Sequence, residues 1–216
     1  MVRALLAGTK TQTRRIGKTQ CAEWTELAVE YSLHAKKGKV AVATHLAYPN
    51  GSARHGICEC PYGIPGDRLW VREAWGLHAY GDDTDWLKGG CTAMDLDDHV
   101  IAYRADWGPL QDGCHWRPSI HMPRAASRIT LEITGVRVER LQEISIEDAK
   151  AEGAWGPDDS IVQKVADYFG TDIFSANPRK AFQMLWESIN GPDSWAANPW
   201  VWVIDFKRIE KPQAST

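Results

Sequence analysis

Several common signals are missing from this chain. No run of about 18 consecutive apolar residues occurs, so no membrane-spanning helix is expected. The opening MVRALLAGTKTQTRR has neither a long apolar centre nor a small-residue cleavage site, and it does not read as a secretory leader. A basic surplus is lacking too. Against 25 Lys and Arg stand 28 Asp and Glu, a net charge of -3. Strong non-specific binding to duplex nucleic acid rests on neutralised phosphates, and this balance speaks against it. Cysteine is sparse and odd in number, with Cys21, Cys58, Cys60, Cys91 and Cys114. Without a leader these are expected as free thiols in a reducing cytoplasm. The frames GxSxG, GxGxxG and GxxxxGK[ST] are absent, and with them the usual signatures of serine hydrolases, dinucleotide sites and phosphate-binding loops. Cys58-x-Cys60 near His55, and Cys114-His115 near His121, fall short of the doubled Cys-x₂₋₄-Cys of structural zinc. Neither metal nor cofactor is expected.

Tryptophan, in contrast, is abundant: 11 residues, against 4 phenylalanines. Such side chains bury large areas. Most belong in a core, while one or two would line a pocket and stack on a planar ligand. At 216 residues with 44% hydrophobic content, the chain suits one domain over 1–216. Residues 76–98, rich in Gly and Asp, are expected as an exposed insertion.

Periodicity predicts a helix over 1–8 ended by Gly8, then a polar, basic turn from Thr9 to Arg15. A helix is expected over 22–37, a strand over 40–46, a loop over 49–67, and strands at 68–73 and 99–105. The clearest strand is RITLEITGVRV, 128–138, in which Gly135 suggests a bulge. Ser145 caps a helix from Ile146 to Glu152, with Asp148 three residues on, and Gly153 ends it. A helix over 178–189 and a final strand, WVWVIDFKRI, complete a mixed α+β pattern around a curved sheet or barrel.

Two segments carry chemistry. Gly8-Thr9-Lys10-Thr11-Gln12-Thr13-Arg14-Arg15 packs an amine, hydroxyls and two guanidinium groups into a short span. It reads equally as basic residues answering a helix dipole. Ile144 to Gly153 reads as an ordinary capped helix with an acidic, solvated face. Glu152, however, stands near the negative pole of that helix, where a carboxylate is unfavourable unless it pairs with a cation.

LLAGTKTQTRR resembles the GxKxxxxR signature of ASCH-domain proteins. ISIEDAKAEGA resembles that family's second helix, SRITLEITGVRV its central strand, PGDRLWV its turn-and-strand and VWVIDFKRI its closing strand. The blocks fall in the family's order and cover both ends of the chain. The resemblance implies a PUA-like β-barrel with surrounding helices and large loop insertions at about 17–60 and 76–125. It also implies an amidohydrolase that removes the acyl group from N4-acetylcytidine and related N4-acylcytosines, using Lys10, Thr13 and Glu152. On this reading Thr13 is the nucleophile and Lys10 the base. Burial or nearby Arg14 and Arg15 would lower the amine's pKa, and Glu152 would position it. A water attacking directly, with Glu152 as base, is the rival. Thr11, Arg14 and Arg15 are candidates to hold the substrate. Trp70, Glu73, Trp75 and Tyr103 are candidates to stack on or read a flat pyrimidine. The expected partner is a small modified cytosine or cytidine. An RNA- or modified-nucleotide-binding module, or a ribonuclease in the same cleft, is the alternative, with RNA as partner.

Overall fold

A computed structural model describes residues 1–17, 41–47, 53–78, 100–106, 116–155 and 177–209. The helix expected over 22–37, and Cys21, Cys91 and Cys114, lie outside the described residues. The chain forms two compact units. The first comprises Met1, Arg3–Asp67 and Glu132–Lys207; the second comprises Val2, Arg68–Leu131 and Arg208–Thr216. The fold is mixed α+β, with a curled antiparallel sheet and few helices.

The first unit opens on a short helix, α1 (Val2–Leu6), beyond which Gly8 takes φ +74°. A strand, β1 (Gln12–Ile16), follows where a turn was expected. Its period-2 alternation is not apolar against polar. Gln12 and Arg14 point inward, and an inward arginine gives no hydrophobic signal to read. A hairpin of β2 (Ala41–Ala47) and β3 (Ala53–Glu59) pairs His45 with His55. β3 replaces part of the loop expected over 49–67; Gly56 lies inside a strand that its partner supports.

In the second unit, β4 (Arg68–Trp70) is shorter than the strand expected there. β5 (Trp75–His78) pairs antiparallel with β6 (Val100–Tyr103), so the segment expected as an insertion from 76 begins inside a strand. Trp75, Met122 and Ala126 form a buried cluster in this unit, with Ile101 and Tyr103 against it.

Back in the first unit, β7 (Thr130–Arg140) leads through a short 3-10 turn to α2 (Ile146–Ala151). α3 (Pro178–Asn190) and β8 (Trp200–Ile209) complete the chain's described elements. β8 runs between β1 and β7, antiparallel to β1, with Thr13 opposite Ile204 and Arg14 opposite Val203. A strand flanked on both sides is buried, which is why Val201 to Ile204 are at most 3% exposed. Leu141, Ile144, Ala149, Ala154, Phe182 and Trp186 pack on Val201 and Val203 as the core. The core thus joins both longer helices to the central strand.

Ser145 accepts the N–H of Asp148 at 3.0 Å and starts α2. Asn177 does the same for Lys180 at 2.9 Å and starts α3, with Pro178 at its first position. Ser145→Ala is expected to cost about 1 kcal/mol. A drop in the urea midpoint at unchanged slope would check this.

Candidate active site

Lys10 follows α1 and precedes β1, with its backbone N–H donating to Ala4 O at 3.1 Å. Glu152 caps the C-terminus of α2. Gly153 then takes φ +72°, and a Cβ on it would lie 2.9 Å from Lys10 Cβ and 3.0 Å from Ala4 Cβ. The glycine both turns the chain and leaves room for the stem of the lysine. Nζ of Lys10 donates to Gln12 O at 2.8 Å, Glu152 O at 2.7 Å and Glu152 Oε2 at 2.8 Å. Three donors meet three acceptors, the arrangement that suits an ammonium. The pair is buried, with side-chain exposures of 6% and 3%. The cation therefore also answers a carbonyl at a helix end.

A larger charged network surrounds this pair. The Arg14 guanidinium donates through Nη1 to Gln12 Oε1 and, at 3.3 Å, to Glu152 Oε1. Through Nη2 it donates to Glu139 and, at 3.1 Å, to Asp148 Oδ2. Gln12 Nε2 donates to Asp148 Oδ1 at 2.9 Å and Asp205 Oδ1 at 2.6 Å. Arg137 donates to Asp205 at 2.7 Å and Asp148 at 2.9 Å. Lys10, Arg14 and Arg137 thus face Glu139, Asp148, Glu152 and Asp205, three cations against four carboxylates. Gly135 on β7 belongs to this geometry as well: a Cβ there would meet Asp205 Oδ2 at 3.0 Å.

Burial, which penalises the charged form, pulls the Lys10 pKa below its ordinary value. Glu152 opposes this, and Arg15 and Arg14 add to it. For Asp148, burial pushes upward, but the Gln12 hydrogen bond with Arg137 and Arg14 brings its pKa below the ordinary carboxylate value. A carboxyl with a depressed folded pKa stabilises above its unfolded pKa and loses that contribution as pH falls through the folded one. Stability is therefore expected to decline on acidification below about pH 4. Asp148→Asn should flatten that decline, as read from denaturation midpoints between pH 2 and 5.

The structure brings Lys10 and Glu152 together, without a hydrogen bond from Thr13 to either. Thr13 alternates with Gln12 and Arg14 along β1 and is half-buried on the other face. Among the described residues its hydroxyl makes no hydrogen bond to Lys10 or Glu152. Thr11 is exposed; its backbone donates to Ala151 O and accepts from Phe206 N. Arg15 is exposed, whereas Arg14 is buried and fully engaged along its Nη groups.

The remaining candidates sit in the second unit. Trp70 is flanked by the guanidinium groups of Arg72, 4.7 Å from the ring, and Arg124, 5.7 Å away. Glu73 is 2% exposed and holds Arg128 in a two-point ion pair at 2.9 and 3.0 Å. That guanidinium lies 3.9 Å over the Tyr103 ring. The Tyr103 hydroxyl donates to Ala126 O at 2.9 Å, and burial, ahead of the other influences, raises its pKa. Trp75 is a core residue at 3% exposure.

Gln12, Arg137, Glu139, Asp148 and Asp205 join the site although none was a candidate site residue, and Asp148 was read only as part of a helix cap. The available sign was charge at period 2 inside strands: Arg137 and Glu139 in TGVRVER, and Asp205 in WVWVIDF. Comparison with protein-family models, with curated proteins and with solved structures found no match to the chain.

Proposed function

We propose that the chain is an ASCH-type amidohydrolase with a PUA-like barrel, acting on N4-acylated cytosine or cytidine without a cofactor. The observation that carries this reading is the buried pair of Lys10 and Glu152, 142 positions apart in sequence and 2.8 Å apart in space. A buried amine with a depressed pKa, held by a carboxylate, is a proton-handling device.

The chemistry follows from the amine. Resting Lys10 is an ammonium. On losing a proton to solvent it takes one from the attacking water, whose oxygen bonds to the acyl carbon. The same proton then passes to N4 of the base as the C–N bond breaks. The products are the free carboxylic acid and the free amine, and Lys10 returns to its amine form. Glu152 positions Lys10 throughout.

We take water as the nucleophile, because the Thr13 hydroxyl makes no hydrogen bond to the pair among the described residues. Thr13→Ala is accordingly expected to keep kcat within about tenfold of the parent, a loss too small for a missing nucleophile. A loss of about a thousandfold or more would assign the nucleophile to Thr13. The function itself is tested by incubating the protein with N4-acetylcytidine and following the decay of the acylated base absorbance. No turnover across acetyl and longer acyl substrates would sink it. Single-stranded RNA, assayed for cleavage and for salt-sensitive binding, tests the alternative. Two of the cations that a phosphate-binding turn would offer, Lys10 and Arg14, are buried and already paired with carboxylates, which favours the hydrolase.

A further inference from the structure

Arg14 is charged, yet its side chain is 0% exposed. Nothing in that placement suits a contact with substrate. Its contacts are Gln12 Oε1 and three carboxylates, those of Glu139 on β7 and of Asp148 and Glu152 on α2, with the Phe182 ring of α3 5.8 Å away. Glu152 therefore has two cationic partners, one on each oxygen: Lys10 on Oε2 and Arg14 on Oε1. The two differ in kind. A guanidinium does not lose its proton in proteins, whereas a buried lysine does.

That difference matters at the moment Lys10 becomes an amine. With Lys10 alone, release of the proton would strand a buried carboxylate, and the proton would stay where it was. Arg14 keeps a permanent positive charge on Glu152 whatever the state of Lys10. Gln12, donating to Asp148 and Asp205 and accepting from Arg14, fixes the plane of the guanidinium. We propose that Arg14 is a positioning residue that holds the Glu152 carboxylate in place while Lys10 releases and recovers its proton. The proposal rests on the hydrolase reading for its catalytic meaning. The titration of Lys10 tests it without that reading.

Lys10 is faced by Glu152 from α2, by Arg14 and Arg15 from β1, and by the carbonyls of Gln12 and Glu152. Removing the guanidinium takes a positive neighbour away and frees Glu152 to hold the lysine's proton, so both changes act in one direction. In protein with ¹³Cε-labelled lysine, Arg14→Met is expected to raise the Lys10 titration midpoint by about 1 unit, and Arg14→Lys to restore roughly half of that. With N4-acetylcytidine, the kcat–pH profile should shift upward by the same amount at nearly unchanged KM. An unmoved Lys10 midpoint in folded Arg14→Met overturns the proposal. So does a large rise in KM at constant kcat, which marks a substrate contact instead. If Arg14→Met does not fold, the double variant Arg14→Met/Glu139→Gln, with one stranded carboxylate removed, carries the same readout. Parent protein that turns over no acylcytidine defeats the hydrolase reading alone, and the titration still decides the role of Arg14.

Discussion

Lys10→Met is expected to lower kcat for N4-acetylcytidine by a factor on the order of 10²–10⁴, the usual worth of a positioned acid–base group. The same change should destabilise the fold by about 3–5 kcal/mol, because it breaks a buried ion pair and leaves one partner charged. Either effect alone has a trivial explanation: a misfolded enzyme is inactive. The double variant Lys10→Met/Glu152→Leu separates them. Replacing both members of a buried pair by apolar side chains of similar size is often neutral for stability. Arg14 in that variant keeps Glu139 and Asp148 as partners. Recovery of the denaturation midpoint without recovery of turnover is therefore expected. If activity returned with stability, the pair would be structural, and the proposed chemistry would fall with it.

Gly153→Ala should damage both stability and turnover. Two costs combine. The residue sits at φ +72°, where an L side chain costs roughly 1–2 kcal/mol. The new methyl would also press on Lys10 Cβ at 2.9 Å and on Ala4 Cβ at 3.0 Å, neither of them the loose end of a long side chain. Overpacking of this kind costs typically about 1–3 kcal/mol. Lys10 must give way, and a displacement near 1 Å at a reacting group costs on the order of 10²-fold in rate. Gly191→Ala is the matched control. It ends α3 at φ +93° with open space where the methyl would go, so it carries the backbone strain without the collision. Its turnover should match the parent within about twofold, at a stability cost of roughly 1–3 kcal/mol, since φ +93° with ψ 165° is a region that essentially only glycine adopts. Equal losses of activity in the two variants would contradict the placement of Lys10 against Gly153.

How far the site could be read from the chain depends on the kind of residue. α2 was legible because Ser145, Asp148 and Gly153 are local stop and start signals acting within a turn of one another. β8 was legible because an apolar, β-branched run declares burial on both faces. β1 was not. Its inward residues are Gln12 and Arg14, and only the carboxylates of Glu139, Asp148 and Glu152 make an inward arginine tolerable. β3 was missed for a related reason: a glycine-containing strand is stabilised by its cross-strand partners, here from β2.

Local chemistry, then, settled some segments: where α2 and α3 start and stop, that the last strand is buried, and that a carboxylate at the end of α2 wants a cation. Those are interactions over a few residues, and their partners stand nearby in the sequence. Tertiary structure decided which cation it receives, and that Arg14 shares it, since Lys10 and Arg14 lie 142 and 138 positions away. Charge pairing has no sequence period. Only the packing of β1, α2 and the core beneath them brings the groups within reach and dries the space between them.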